Sequence, residues 1–277
     1  MAYGSVMQPV GSVPVPPGDE NLVLISWDGL EQPLRLLQRD QPSSFQLLLF
    51  DYSGRALRPA ELPAGCHWLT YATHCKGEIL SALVPWLQER AEQYHYIGLV
   101  DDDVALSVGQ INTALALAEK LGSISFSPSL HRKDREFLPH MVSQGQREWR
   151  RVAWLELKMS FVRADLFLAA APFYPLSFSG YGIDCFIHPY WARVLDLPGD
   201  FHVFDRIVVR HQRPHRSGRM TFPNGFTGLE EAQRLHQVCL RHLMGERPDL
   251  IVDPIVREVL HLPSAALQDG RDCSPHP

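Results

Sequence analysis

The first half of the chain alternates short runs of apolar residues with longer amphipathic stretches. The apolar runs cover residues 22–27, 45–50 and 94–100, and their continuous hydrophobicity is typical of strands buried on both faces. The amphipathic stretches predict a short helix over residues 33–39 and a longer one over 76–93. This alternation indicates an α/β fold with a mostly parallel central sheet flanked by helices.

Capping residues define the helix that follows the third apolar run. Ser107 is the expected N-cap, because Gln110 three residues later completes a capping-box pattern. The helix is expected to run to Leu121 and to end at Gly122, since glycine readily adopts the left-handed conformation of a C-cap. Pro85 lies inside the preceding amphipathic stretch and predicts a kink or a restart there.

The second half of the chain is less regular, but no linker interrupts it. Its pattern predicts strands at 123–129 and 201–211, a polar loop at 131–148, an extended segment at 152–164, and helical stretches at 166–171, 180–195 and 228–262. We therefore expect one domain over residues 21–263 with a helical C-terminal segment. A flexible leader rich in Pro, Gly and Ser precedes it at 1–20, and a disordered tail follows at 264–277.

Charge and cysteine content narrow the partners and the compartment. The 277 residues include 26 Lys and Arg against 31 Asp and Glu, and a formal net charge of −5 argues against nucleic acid as the main partner. No apolar stretch approaches the roughly 20 residues that span a bilayer, so we expect no transmembrane segment, and any membrane contact would be peripheral. The five cysteines are scattered and the N-terminus does not resemble a signal peptide, which favours the cytoplasm.

Three consecutive carboxylates, Asp101, Asp102 and Asp103, directly follow the third apolar run. The carboxyl edge of a parallel sheet is where open α/β folds bind ligands. In an extended backbone Asp101 and Asp103 point to the same side, and a cation between them would offset their repulsion. Their hard oxygen ligands suit Mg²⁺ or Mn²⁺. A solvated turn that caps the next helix is the alternative interpretation.

The same motif also allows a phosphatase of the haloacid-dehalogenase type, with Asp101 as the nucleophile. Such proteins usually carry the motif near the N-terminus, with Thr or Val two residues after the second Asp. Here Ala105 occupies that position and about a hundred residues precede it. The sequence also has no later Asp-Asp pair, so this alternative is weaker.

Two further groups of residues can complete a site. Gly180 and Gly182 flank Tyr181 and allow close approach to a ligand, and Asp184 near the following helix start can act as a base. His211 ends an apolar strand and can complete a metal site. The basic residues around it, which can neutralise a diphosphate, are Arg210, Arg213, His215, Arg216 and Arg219. A helix-start carboxylate, a structural histidine and a solvated basic loop are the alternatives.

Trp154, Glu156 and Lys158 alternate along the extended segment and would share one face. An aromatic ring beside a carboxylate suits a sugar, which offers an apolar face for stacking and hydroxyls for hydrogen bonds. The alternative is an amphipathic strand with a charged outer face.

Taken in order, these segments resemble the GT-A glycosyltransferases. They are YHYIGLVDDDVAL (94–106), WLELKMSFVRADLF (154–167), GYGID (180–184) and VVRH (208–211). Together with Leu49–Gly54 and Lys76-Gly77, they look closer still to a family of uncharacterised plant and bacterial proteins with glycosyltransferase-like character. The similarity spans roughly residues 22–215.

The resemblance implies a GT-A catalytic domain that uses a nucleotide-sugar donor, a carbohydrate or glycoconjugate acceptor, and Mn²⁺ or Mg²⁺. By this similarity Asp101, Asp103 and His211 would hold the metal, and Asp184 would position or deprotonate the acceptor. We expect Asp51, Lys76, Asp102 and Arg213 on the donor side, and Trp154, Glu156, Tyr181 and Gly182 on the acceptor side. The competing functions are the phosphatase and a non-catalytic binding module on the same fold.

Overall fold

The computed structural model describes residues 20–30, 32–55, 62–63, 65–90, 93–133, 138–145, 147–213 and 219–262. The predicted leader, apart from Glu20, and the predicted tail lie outside the described residues. So do His215 and Arg216 of the predicted basic loop.

Ten strands form one sheet in the described part of the chain. They are β1 Asn21–Trp27, β2 Leu37–Gln38, β3 Gln46–Asp51, β4 His67–Thr70, β5 Tyr96–Val100, β6 Val104–Ser107, β7 Ser125–Leu130, β8 Arg150–Val152, β9 Phe161–Arg163 and β10 Phe201–His211. Their order is β2-β6-β10-β7-β9-β5-β1-β3-β4, and β8 pairs with β10. Among these pairings five are parallel and four antiparallel, so the sheet is mostly parallel as expected.

Six α-helices flank the sheet within the described residues: α1 Lys76–Gln88, α2 Val108–Leu121, α3 Ala164–Ala169, α4 His188–Val194, α5 Gly228–Gly245 and α6 Pro254–Val259. The predicted caps of α2 are confirmed. Ser107 Oγ accepts from the Gln110 amide at 3.1 Å, the Gln110 side chain accepts from the Ser107 amide at 2.8 Å, and Gly122 is left-handed. The helical C-terminal segment is confirmed by α5 and α6.

Several local predictions are wrong. Residues 33–39 form a turn and the short strand β2 instead of a helix, because Leu34 has a φ of 60° that a right-handed helix excludes. The helix predicted to 93 ends at Gln88, and it continues through Pro85 without a restart. The extended segment 152–164 is broken by a 3₁₀ turn over Leu157–Met159, and β4 and β6 were not predicted.

A stack of aromatic rings fixes the centre of the sheet. Phe126 on β7 lies between Phe161 on β9 and Phe204 on β10, with ring centroids 4.7 and 5.2 Å apart. Gly98 on β5 makes room for the Phe161 ring, since a Cβ there would come within 2.5 Å of it. The antiparallel β9 can therefore fit between β5 and β7, where it joins the two parallel parts of the sheet.

The strand order also creates a crevice. β1 pairs with β3 on one side and with β5 on the other, all three parallel, so their carboxyl ends meet at one edge where the connections diverge. Such a switch point is the usual ligand site of an open α/β sheet. The acidic triplet follows β5 at this edge.

Candidate functional site

A pocket of about 400 Å³ opens at this edge of the sheet. Strand ends, the start of α1 and two loops line it, through Ser26, Tyr52, Thr73, His74, Cys75, Lys76, Ile79, Asp101, Asp102, Asp103, Glu156, Lys158, Ser179, Tyr181, His211, Arg213 and Phe222. The pocket therefore collects eight of the twelve predicted site residues, and Asp51, Trp154, Gly182 and Asp184 are not among its lining residues. We call the strand-end side, formed by Tyr52, residues 101–103 and His211, the sheet wall.

Each carboxylate of the triplet faces a basic side chain. Lys76 Nζ contacts Asp101 Oδ1, and Arg213 Nη2 lies 3.0 Å from Asp102 Oδ2. His211 Nε2 lies 3.3 Å from Asp103 Oδ2. The close packing of three acidic side chains is thus balanced within the pocket, and the triplet is not a solvated turn.

Asp103 and His211 meet because β6 pairs with β10. His211 is the register partner of Val104, and the Gln212 amide donates to the Asp103 carbonyl at 2.8 Å. Burial disfavours ionisation of Asp103, but the hydrogen bond from His211 and the charges of Arg213 and Lys76 outweigh it and lower the pKa of this carboxyl. The carboxylate therefore stays charged at neutral pH.

The other oxygen of Asp103 could serve as a ligand for a cation. Asp103 Oδ1 is buried and accepts no hydrogen bond from any residue that the structure describes. A buried carboxylate oxygen without a donor is costly, and a hard divalent ion would satisfy it. In the described side-chain positions no three His, Cys, Asp or Glu are arranged to enclose a metal. The chemistry of Asp101, Asp103 and His211 nevertheless fits such an ion, which would replace the contact of Lys76 with Asp101.

Tyr52 supplies a hydrogen-bond donor to the pocket that the sequence pattern did not predict. Its hydroxyl donates to Asp102 Oδ2 at 3.1 Å, and burial together with the negative charge of Asp102 raises its pKa, so it stays protonated. Tyr52 follows Asp51 at the end of β3. The Asp51 carboxylate is fully buried and accepts from the side chains of Ser53 and Thr70 at 2.6 and 2.8 Å. Asp51 thus shapes the β3 turn and brings Tyr52 to the pocket.

Lys76 is held at the start of α1 beside the triplet. Burial lowers its pKa to about 8, against the opposing effect of Asp103, Glu156 and Asp102. Its position is set by close backbone packing on the loop that follows α3. A Cβ on Gly180 would lie 3.1 Å from the Lys76 Cβ, and one on Gly77 would collide with the Ser177 carbonyl.

Glu156 and Lys158 enter the pocket together. The Lys158 ammonium lies 2.9 Å from Glu156 Oε2, and the Lys158 carbonyl accepts from the Asp101 amide at 2.9 Å. The predicted shared face with Trp154 is not formed, because β8 ends at Val152 and residues 153–156 do not form the regular strand that such alternation requires. Trp154 instead lines a separate hollow, where its ring packs on His140.

Asp184 lies near the pocket without lining it. It is the second residue of the π-helical turn Ile183–Ile187, and its Oδ1 accepts from the Cys185 amide at 2.8 Å. Burial, with the negative charge of Glu156, raises the pKa of Asp184 to about 7. Gly182 has a φ of 89°, and a Cβ there would meet the backbone of Ala232 at 2.8 Å. Gly182 therefore contributes by letting the loop pack on α5.

The loop of residues 177–182 forms the opposite side of the pocket, which we call the loop wall. The buried Glu231 of α5 organises it: its carboxylate accepts from the Phe178 amide at 3.0 Å and from the Ser179 amide at 2.8 Å. The Ser177 hydroxyl donates at 3.3 Å, and the Ser179 hydroxyl is also in contact. Ser179 and Tyr181 of this loop line the pocket. Glu231 was missed, because a first-turn carboxylate is usually exposed.

The chain was compared with known families, curated proteins and solved structures. No family model matches it, and neither does any curated protein. Among solved structures, S. aureus TarS 1-349 in complex with UDP-GlcNAc aligns at a TM-score of 0.57 and 11% identity, covering 87% of this chain and 71% of that one. TarS 1-349 without that ligand gives a TM-score of 0.51 and 12% identity over 87% and 70% of the two chains.

The fold is that of the GT-A glycosyltransferases. A third structure, of S. aureus TarS, aligns at a TM-score of 0.53 and 12% identity over 87% of this chain and 43% of that one. Identities this low establish the fold alone. No helix among the described residues is both long enough and apolar enough to span a bilayer.

Proposed function

We propose that this protein is a glycosyltransferase that moves a sugar from a nucleotide-sugar donor to an acceptor hydroxyl with the help of Mn²⁺ or Mg²⁺. The observation that carries this proposal is the contact between His211 and Asp103, 3.3 Å apart, next to a buried carboxylate oxygen that accepts no hydrogen bond from the described residues. It lies at the switch point of a GT-A fold. The similar TarS structure holds UDP-GlcNAc, which supports a nucleoside diphosphate sugar as the donor.

Asp101, Asp103 and His211 would hold the ion, whose positive charge stabilises a departing diphosphate. Lys76 and Arg213 flank the triplet and bring further positive charge to the donor side. Asp102 accepts hydrogen bonds from Arg213 and Tyr52. These bonds would orient both side chains before the substrate binds. Asp51 acts through the β3 turn that presents Tyr52.

Asp184 is the proposed base. A pKa of about 7 leaves a substantial fraction ionised at neutral pH while keeping the carboxylate basic enough to take a proton from a hydroxyl. In a transfer that inverts the anomeric centre, Asp184 would accept the acceptor's proton as the hydroxyl attacks. Glu156 and Tyr181 line the pocket on this side and would contact the acceptor, and Gly182 would keep Asp184 in position.

Two broader assignments accompany this function. We propose that residues 21–263 form one catalytic domain and that the protein acts in the cytoplasm, where its thiols would stay reduced. Cys66, Cys75, Cys185 and Cys239 are free in the structure, in keeping with that compartment. The likeness to solved GT-A structures supports the transferase over the phosphatase. A non-catalytic binding module would share the fold and the donor pocket.

The decisive experiment is a thermal-shift panel of nucleoside diphosphates and nucleotide sugars, each with and without Mn²⁺. A ligand that binds only the native state raises the melting temperature by mass action. We expect one nucleotide to stabilise the protein in a manganese-dependent way. No shift with any nucleotide would contradict the proposal. A shift without sugar transfer to any acceptor would favour the binding module.

A further inference from the structure

A second depression of about 1030 Å³ includes two tryptophans, Trp149 and Trp154. We call it the aromatic hollow; it is lined by residues 139–140, 144, 147–154 and 258. Trp149 is 36% exposed, which is unusual for so large an apolar side chain. None of the catalytic roles proposed above uses either ring, apart from the acceptor contact expected of Trp154.

The two rings are fixed rather than loosely placed. Trp149 packs against His202 with ring centroids 5.1 Å apart and planes at 82°, and Trp154 packs against His140 at 4.5 Å and 62°. Between them, the buried Arg150 donates from Nε and Nη2 to the Asp205 carboxylate at 2.6 and 3.2 Å. This ion pair anchors β8, which Trp149 precedes and Trp154 follows in the chain. Rigid aromatic rings bind a ligand at a low cost in conformational entropy.

The charges around the hollow are largely balanced. Arg151 pairs with Asp200 at 2.7 Å, and Glu148 pairs with Arg206 at 2.8 Å. Arg147 and Glu258 add one exposed charge of each sign to the lining. A strongly acidic or basic ligand would find no concentrated charge of the opposite sign here. The side chains supply hydrogen-bonding groups around two apolar ring systems, as hydroxyl-bearing sugar rings require.

The aromatic hollow adjoins the candidate pocket along the chain. Trp154 lines the hollow and Glu156 lines the pocket, with only Leu155 between them. Two residues of extended chain span about 7 Å at most. The two depressions are therefore lined by side chains from neighbouring residues of one segment.

We propose that the aromatic hollow binds an uncharged oligosaccharide by stacking on Trp149 and Trp154. That this oligosaccharide is the more distant part of the acceptor rests on the proposed function, whereas oligosaccharide binding by the hollow does not. The acceptor would then be a glycan chain rather than a small molecule, and its terminal hydroxyl would lie by Glu156 and Tyr181.

The test is binding of the labelled full-length chain to an array of defined uncharged and acidic oligosaccharides, compared with Trp149→Ala, Trp149→Phe and Arg147→Glu. We expect uncharged oligosaccharides of two or more sugars to bind. Trp149→Ala should weaken binding at least about tenfold, equivalent to about 1.4 kcal/mol, and Trp149→Phe should restore most of it. Arg147→Glu, an exposed change without loss of a ring, should have little effect. Met244→Ala on α5 is the control for loss of an exposed apolar side chain.

Three results would overturn the proposal: no binding to any oligosaccharide, binding that Trp149→Ala leaves unchanged, or binding only to acidic oligosaccharides that Arg147→Glu abolishes. Melting temperatures identify any variant that fails to fold, and Arg147→Glu still tests the ligand's charge in that case. Asp103→Asn separates the two proposals. It should remove the nucleotide response and leave oligosaccharide binding intact. Oligosaccharide binding without any nucleotide response would support the hollow and contradict the transferase.

Discussion

The two sides of the candidate pocket are built in different ways. The three carboxylates of the sheet wall are consecutive in the chain: Asp101, Asp102 and Asp103 directly follow β5. Backbone pairing of β6 with β10 adds His211 to them. The loop wall has no regular strand or helix at the pocket. Its shape comes from the carboxylate of Glu231, which lies about fifty positions further along the chain. The sheet wall therefore brings charged side chains to the pocket, whereas the loop wall determines the shape of its other side. Substitutions should separate these two contributions.

The largest effect is expected at the sheet wall. Asp103→Asn keeps the size of the side chain but removes the charge of a proposed metal ligand, so manganese-dependent stabilisation by a nucleotide should disappear. Transfer should fall at least about hundredfold, because the lost electrostatic stabilisation is that of the leaving group. The melting temperature without ligand should change little. Thermal shift and transfer assays check both, with Asp249→Asn as the control at an exposed carboxylate. An unchanged manganese response would remove Asp103 from the metal site.

The loop wall should respond in stability as well as activity. Glu231→Gln replaces an acceptor oxygen by an NH₂ group that faces the amides of Phe178 and Ser179. Donors without an acceptor are costly when buried, so we expect the free energy of unfolding to fall by about 2–4 kcal/mol. In the folded variant, acceptor KM should rise more than donor KM, because Tyr181 moves with the loop.

Denaturant unfolding and steady-state kinetics with each substrate varied make this measurement. Glu246→Gln is the matched control, because it makes the same change at an exposed carboxylate at the other end of α5. Equal stability of Glu231→Gln and the unsubstituted chain would show that the carboxylate does not organise the loop. A donor KM that rises as much as the acceptor KM would show that the two walls are not separable.

The same difference explains what the sequence could predict. The sheet wall was found because its ligands lie at strand ends, where an apolar run followed by three carboxylates is a local pattern. The loop wall depends on contacts between distant residues. Glu230 completes the capping box of α5, whereas Glu231 begins the four-residue spacing of the buried Leu235, Cys239 and Leu243, so its burial had a local signal. The amides that its carboxylate accepts from lie about fifty positions away and had none. Tyr52 and β6 were missed for a similar reason, because their roles depend on Asp102 and β10.

A pH experiment tests the raised pKa of Asp184. Its pKa of about 7 lies above the unfolded value of 3.8, so the folded state binds this proton more tightly than the unfolded state. The native state therefore loses stability as the pH rises from about 4 to about 7. Asp184→Asn should remove that loss. At pH 8 it should be more stable than the unsubstituted chain by about 1–3 kcal/mol, less than the full equivalent of the shift because the side chain is partly exposed.

Denaturant unfolding at pH 4 and pH 8 gives this comparison, and the difference should vanish at the lower pH. Asp184→Asn should lose sugar transfer at both pH values and keep donor binding. Asp165→Asn is the control at an exposed carboxylate. An Asp184→Asn variant that transfers sugar at the normal rate would exclude Asp184 as the base.

The smallest expected effect lies within the sheet wall, at Tyr52. Tyr52→Phe removes the hydroxyl that donates to Asp102 at 3.1 Å and leaves the ring in place. Asp102 keeps its second partner, Arg213, so the loss should be that of one hydrogen bond to a charged group, about 1.5–3 kcal/mol at most. Only part of that loss should reach donor binding, because the hydroxyl orients Asp102 without a proposed contact to the donor. Donor affinity should therefore fall about tenfold, equivalent to about 1.4 kcal/mol.

Titration of the nucleotide identified in the thermal-shift panel, at saturating Mn²⁺, measures this effect. Tyr71→Phe, a change of the same kind outside the pocket, provides the control. If Tyr52→Phe weakened the donor as severely as Asp103→Asn, the hydroxyl would have to contact the donor itself. The side chains of the sheet wall that contact the donor would then come from the ends of β3, β5 and β10 rather than from those of β5 and β10 alone.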